Sequence, residues 1–311
     1  EGLLHLWKET RAIARHFHPD IVHGHDITDS GIRAYLSGAR PLVLTAWGSD
    51  ILLEPERLSL FRKFLFRRTL ANSSGITSNN NRILQKLMGY APNAKPTIYR
   101  FGINGKSFLK TKPNNRNRLR SELSIPENSF VILSPRNLAP VYNIETIIRA
   151  FHRLPEGYFL LFKYFAVEPS YLEKLKTLTD SLDLEHRIRW VGKVPHRELP
   201  KYYHASDVVI SVPDSDSLPV TFFESWASST PLVCGFLPTY SEILHNNLNC
   251  TLVNHRNPEE IANAIQAIHN DVIFMETLIS EGLTSFYNYG NKDKEFERLL
   301  NLYKELLEAC A

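Results

Sequence analysis

The densest concentration of chemically capable side chains is the segment Asp214-Ser215-Asp216-Ser217-Leu218-Pro219-Val220-Thr221-Phe222-Phe223-Glu224. Pro219 fits the first turn of a helix, where its missing N–H costs nothing. Asp216 then falls in a loop and Glu224 in the second helical turn, so the two carboxylates can address two ends of one polyol ligand. Glu224 is flanked by Phe222, Phe223 and Trp226, and an acid on an otherwise buried helix needs a partner to offset its desolvation. Upstream, Arg136 stands just after a predicted strand, Lys163 ends the next, and Gly192, Lys193 and Val194 follow the third. Ligands of open α/β sheets bind beyond the carboxyl ends of the strands, near the switch in strand order. Three cations and a polar loop feeding a helix at that edge suit a phosphate, because helix N-termini present unpaired N–H groups and Arg grips phosphate oxygens in pairs.

These residues must be carried by alternating strands and helices. Helical spacing over 3–17 is followed by a strand at 20–25, a helix at 29–36, a strand at 41–46, a basic helix at 57–68, and strands near 75–78 and 96–100. The stretch 111–117, rich in Lys, Pro and Asn, reads as a linker. Beyond it, strands are expected near 130–134, 158–163, 187–191, 207–211, 231–234 and 250–253, with helices between. Such alternation predicts mostly parallel, doubly wound sheets covered on both faces. The expected domains are 1–110, a partial Rossmann-like domain, and 111–311, a second one. A last helix at 292–309, presenting Phe296, Leu299, Leu300, Tyr303, Leu306 and Leu307, is expected to pack back on the first. Position 1 is not Met, and the opening helix has no strand before it to pack on, so several elements are expected to precede Glu1.

Asp216-x7-Glu224, followed by Thr230-Pro231-Leu232-Val233, resembles the signature of the retaining GT-B glycosyltransferases of group 1, family 4-like. The resemblance extends over Arg136 with Tyr142-Asn143-Ile144-Glu145, Trp190-Val191-Gly192-Lys193-Val194-Pro195 and Ser241-Glu242-Ile243. In the first half it takes in His23-Gly24-His25, Thr45-Ala46-Trp47-Gly48-Ser49-Asp50 and Gly102-Ile103-Asn104 with Phe108. It implies an α/β fold of two facing Rossmann-like domains, the first incomplete, and a hexosyltransferase using a UDP- or GDP-sugar to build a glycolipid or cell-envelope polysaccharide. By the same resemblance Glu224 receives ribose hydroxyls, Asp216 holds a sugar hydroxyl and Arg136 neutralises the leaving diphosphate. Ser217, Leu218, Pro219 and Val220 form the helix mouth, with Lys163, Lys193 and Val194 beside it. His25 lines the acceptor side near the anomeric carbon, together with Trp47, Gly48 and Asp50. No cofactor and no obligatory metal are implied.

This chain departs from that pattern in several places. The first acid is Asp rather than Glu, Val141 stands where a second phosphate clamp, a Lys, is usual, and Trp47 stands where a His is common. A non-catalytic nucleotide-sugar-binding protein on the same fold is the alternative, with an epimerase a third reading, because fold alone does not set function.

Bulk properties narrow the classes. A net charge of +3 gives no nucleic-acid footprint. Up to Lys110, however, Lys and Arg outnumber Asp and Glu roughly two to one. Much of that excess lies at 57–68, where Phe61, Phe64, Leu65 and Phe66 interleave with Arg62, Lys63, Arg67 and Arg68. That pattern fits either a packed helix with a solvated cationic edge or a helix resting on an anionic membrane. No apolar run is long enough to span a bilayer, so a cytoplasmic protein is expected, peripheral on the inner face of the membrane if the basic helix meets lipid. Cys234, Cys250 and Cys310 lack ligand-like spacing and read as reduced packing residues.

Overall fold

The computed structural model describes residues 3–52, 54–109 and 114–309. Part of the linker expectation, 111–113, and Cys310 lie outside them. The chain forms two units: Glu1–Gly102 with Asp216–Leu218 and Lys292–Ala311, and Ile103–Ser215 with Pro219–Asn291. Residues 103–110 thus fall with the second unit, ahead of the Lys, Pro and Asn-rich stretch.

In the first unit, strands β1 (Val22–His25), β2 (Leu42–Ala46), β3 (Gly75–Ser78) and β4 (Lys95–Ile98) lie parallel in sequence order. β2 is buried along its whole length, as its mainly apolar sequence, interrupted only by Thr45, requires of a strand covered on both faces. A Cβ on Gly24 of β1 would sit 2.8 Å from Cα of Gly31 in the helix Asp29–Leu36. Backbone cannot yield there, so glycine is what lets helix and strand approach. One face of the sheet carries Leu42, Leu44 and Ile76 against Phe66, Leu70, Ile83 and Leu87. Val43, on the opposite face by alternation, packs with Tyr99 and with Leu299, Leu302 and Leu306 of the helix Lys292–Glu308.

That last helix differs from the expectation in its buried face. It buries Glu295, Leu299, Leu302 and Leu306 and exposes Phe296, Leu300 and Leu307. Hydropathy alone puts Glu295 outside, but its carboxylate accepts the Arg100 N–H at 2.7 Å and pairs with Arg298 at 2.9 Å, which offsets desolvation. Tyr303 of the same helix meets His23 Nδ1 at 2.5 Å, while His23 Nε2 meets Thr45 Oγ1 at 2.6 Å. Burial, reinforced by the His25 ring stacked 4.2 Å away, lowers the His23 pKa from 6.5 to about 3.

The second unit holds β5 (Phe130–Ser134), β6 (Tyr158–Lys163), β7 (Ile188–Val191), β8 (Val208–Ser211), β9 (Leu232–Gly235) and β10 (Thr251–Val253). Their order is β10-β9-β8-β5-β6-β7, all parallel. The direction of winding therefore reverses between β5 and β8. Ile132, Leu160, Phe162 and Ile210 share one core with Ile144, Ile148, Ile261 and Ile265 from the covering helices. Cys234 and Cys250 are buried free thiols.

Arg120 fastens the amino end of this sheet. It is 1% exposed, donates to the carbonyls of Ala205, Glu127 and Ser129, and pairs with Asp207 at 2.6 Å. Removing one member of such a buried pair strands the other, so Arg120→Ala is expected to cost about 3–5 kcal/mol in denaturant unfolding. A loss below about 1 kcal/mol would contradict the assignment. The His23 contribution has the same sign as that of a paired carboxylate but begins at a higher pH. With its folded pKa depressed, stability is intact above pH 6.5 and is lost progressively as pH falls toward about 3. His23→Gln should flatten the fall of the unfolding midpoint across that window, and an unchanged slope would refute the account.

Candidate functional site

The reversal between β5 and β8 selects a set of side chains in the second unit without reference to any family. Ser134 and Ser211 end these two strands, fully buried, and their hydroxyls have no hydrogen-bond partner among the described residues. Beyond β5, the Arg136 guanidinium lies over the Tyr142 ring at 4.4 Å. At the end of β6, Lys163 is only 7% exposed, its ammonium 3.3 Å from the Tyr164 carbonyl. It is buried rather than a solvated strand end. Burial lowers its pKa, and the charge of Glu224 works against that shift. Lys193 is exposed over the Phe165 ring at 4.6 Å, with Val194 half-buried next to it.

Glu224 sits on the helix Val220–Ala227 and is 5% exposed. Burial pushes its pKa up, while a hydrogen bond from Tyr203 and the charges of His196, Arg136 and Lys163 pull it back. The Tyr203 hydroxyl donates to Glu224 Oε2 at 2.5 Å and is itself wholly buried. Acid and cations thus occupy the same low-dielectric edge, where each makes the other's charge affordable. Pro219 takes the N-cap position, one residue earlier than expected, and supplies no side-chain cap; the exposed Val220 begins the helix. The helix mouth is therefore left to its own N–H groups.

The preceding loop divides in its loyalties. Asp214 accepts from Asn143 at 2.8 Å and from Arg256 at 3.0 Å, and lies 3.2 Å from His255. The Arg256 bond first, with Asn143 and His255 contributing, holds its carboxyl below the usual range against the cost of burial. Asp216, Ser217 and Leu218 belong to the first unit. Ser217 donates to Asn79 and accepts from Asn80 at 3.1 Å, the Leu218 carbonyl accepts from Asn79 at 3.4 Å, and Asp216 Oδ1 receives the Ser217 N–H at 2.8 Å. The Ser217 hydroxyl is engaged by protein, so a direct ligand contact through it is not what the geometry offers.

In the first unit the acceptor-side expectation needs one correction. Asp50 is fully buried and its carboxylate receives the N–H groups of Ile27, Trp47 and Gly48 at 3.0, 3.0 and 2.8 Å. It ties the turn after β1 to the turn after β2 and has no open face, so it is a positioning residue. Burial raises its pKa and those three N–H groups oppose the rise. Gly48 has φ 125°, and a Cβ there would lie 2.6 Å from that of Ser217. Trp47 is 46% exposed, and His25 is exposed beside it with ring centroids 6.1 Å apart. Burial lowers the His25 pKa. Sequence reasoning missed Tyr203, Asn79, Asn80 and Phe101; only Asn80, as the side-chain cap of the helix Asn81–Met88, left a recognisable signal. Among the described residues no three His, Cys, Asp or Glu side chains gather as a metal site.

Comparison with known proteins agrees with this architecture. Residues 115–284 match the family of glycosyl transferases group 1, and residues 2–80 match the glycosyl transferase 4-like family. Alpha-monoglucosyldiacylglycerol synthase of Streptococcus pneumoniae is 24% identical over 95% of this chain and 63% of its own length. D-inositol 3-phosphate glycosyltransferase 1 of Catenulispora acidiphila is 23% identical over 71% of this chain and 54% of its own. The chain thus spans less than two thirds of these curated relatives. Among solved structures, Anabaena HepE in complex with UDP and glucose superposes with TM-score 0.84 at 19% identity, over 96% of this chain and 81% of that one. Sucrose-phosphate synthase from Thermosynechococcus elongatus does so with TM-score 0.84 at 19% identity, over 97% and 77%. A family match over more than half of the residues, on sheets wound in this order, means that the chain is a member of the group 1 glycosyltransferases with the GT-B fold.

Proposed function

We propose that the chain is the nucleotide-sugar-binding half, with part of the acceptor side, of a retaining hexosyltransferase. The reading takes a UDP- or GDP-sugar as donor and a glycolipid or cell-envelope polysaccharide as acceptor. The observation that carries it is Glu224, a nearly buried carboxylate held by Tyr203 beside Arg136 and Lys163 at the strand-order reversal. A buried acid accepts ribose hydroxyls more strongly than a solvated one. Arg136, Lys163 and the uncapped mouth at Val220 supply positive potential for a departing diphosphate, with Lys193 and Val194 at the rim. Lys163 then does the work of the clamp that Val141 cannot. Asp216 is assigned to a donor-sugar hydroxyl, and His25 with Trp47 and Gly48 to the acceptor side.

The names of two relatives support this acceptor range: one is a synthase of alpha-monoglucosyldiacylglycerol, a glycolipid, and the other a D-inositol 3-phosphate glycosyltransferase. HepE, crystallised with UDP and glucose, supports a uridine donor. No metal or cofactor enters the proposed chemistry. A cytoplasmic location, peripheral on a membrane surface, belongs to the same reading. The helix Leu60–Ala71 buries Leu65, Phe66 and Leu70 but exposes Leu60, Phe61 and Phe64 at 87%, 55% and 57%. These lie at helical spacing with the exposed Arg67 and Arg68, as in helices that rest on anionic lipid. No described helix is long and apolar enough to cross a membrane.

Two experiments test these points. Incubation with radiolabelled UDP- and GDP-hexoses should release nucleoside diphosphate. Glu224→Gln should weaken donor use about 10- to 100-fold through the lost charged hydrogen bonds, and Arg136→Ala should slow turnover by about 10²–10³. Binding without release, or return of an altered sugar nucleotide, would replace transfer by a binding protein or an epimerase. Separately, replacing Arg62, Lys63, Arg67 and Arg68 by Gln should abolish cosedimentation with phosphatidylglycerol vesicles at low salt. Undiminished cosedimentation would remove the membrane surface from the reading.

A further inference from the structure

Phe101 has φ 66°, in the left-handed region that a bulky side chain rarely enters, and it is followed by Gly102 at φ 59°. Non-glycine residues persist in such conformations where the surroundings hold them, and they concentrate at ligand sites. What the conformation achieves here is visible. The Phe101 ring stacks on Trp47 with centroids 4.2 Å apart and planes 10° apart, and Tyr99 backs it at 4.5 Å. Trp47 ends the row, 46% exposed, with the exposed His25 ring 6.1 Å from it and 6.3 Å from Phe101. His25 closes β1, Trp47 follows β2 and Phe101 follows β4, so three carboxyl ends of the first sheet contribute to one surface.

We propose that the Trp47–Phe101 stack is a platform for a six-membered polyol ring, a pyranose or a cyclitol, with His25 reaching its hydroxyls. The proposal deepens the acceptor side of the reading above and rests on it for the word acceptor. A pyranose or cyclitol presents C–H groups on its faces and hydroxyls at its rim. The open face of an indole suits the former through many weak contacts, and a neutral imidazole both donates to and accepts from the latter. A hydrocarbon chain would leave the imidazole unused beside it. Phe101 fixes the tilt of the indole, so its backbone conformation orients the platform.

Saturation-transfer difference NMR on the whole chain, with methyl α-D-glucopyranoside, myo-inositol and octyl glucoside as probes, tests the site without requiring catalysis. Saturation is expected on the ring C–H protons of all three. Trp47→Ala should raise the dissociation constants about tenfold, and Trp47→Phe, which keeps an aromatic face, should restore most of the binding. Thermal unfolding of each variant separates a lost platform from a lost fold. Absence of ring saturation, saturation confined to the octyl chain, or binding indifferent to Trp47→Ala would each overturn the proposal. Because nucleoside diphosphate release is measured independently, ring binding without release would sink the transferase reading and leave the platform standing.

Discussion

A carboxylate that cannot be hydrated is the constraint around which the second unit is organised. Glu224 rides on a helix whose neighbouring positions are Phe222, Phe223 and Trp226, all fully buried, so its charge is tolerable only where the sheet supplies compensation. That place is the reversal between β5 and β8, where Arg136 and the mouth of the helix converge and where β6 ends in Lys163. Tyr203 completes the arrangement from outside the strand ends by fixing one carboxylate oxygen. The aromatic burial and the polar cluster are therefore one design: the core sets the dielectric, and the dielectric gives the few charges their strength.

The first unit solves a different problem with the same chemical group. Asp50 is as buried as Glu224, yet it faces backbone N–H groups from two turns rather than side-chain cations. It converts two loops into a rigid rim on which Trp47 and His25 are displayed. A carboxylate answered by amides organises structure, whereas one answered by Arg and Lys concentrates potential. Asp214, saturated by Asn143 and Arg256, belongs with the organisers despite its place in the signature loop.

Periodicity was a good guide wherever hydrophobic burial decides. Among the described residues, β2, β5, β6, β8 and β9 are buried along their whole length and fall on the mainly apolar runs expected of them, because a strand covered on both faces cannot be built otherwise. Arg136, Lys163 and Glu224 were legible for a related reason: strand ends and a charged interruption of an aromatic helix stand out in a linear pattern. What remained hidden depends on long-range pairing. Glu295 looks like a solvent residue until the Arg100 N–H is seen beside it, and the error propagates to the whole face of its helix. Tyr203 resembles any core aromatic unless Glu224 is known to lie within reach. Phe101 carries no mark in one dimension, since its distinguishing property is a backbone angle.

The helix Lys292–Glu308 supplies Leu299, Leu302 and Leu306 to a core whose other buried members, Val43 and Tyr99, are made at least two hundred residues earlier. Synthesis and completion are consequently out of step. At a ribosomal pace of about 5–20 residues per second, the opening sheet waits roughly ten to forty seconds with one face bare, while the later unit has all of its strands and can close first. The earlier of the two units is thus finished after the later one, and its apolar face is the surface that a nascent chain most needs shielded.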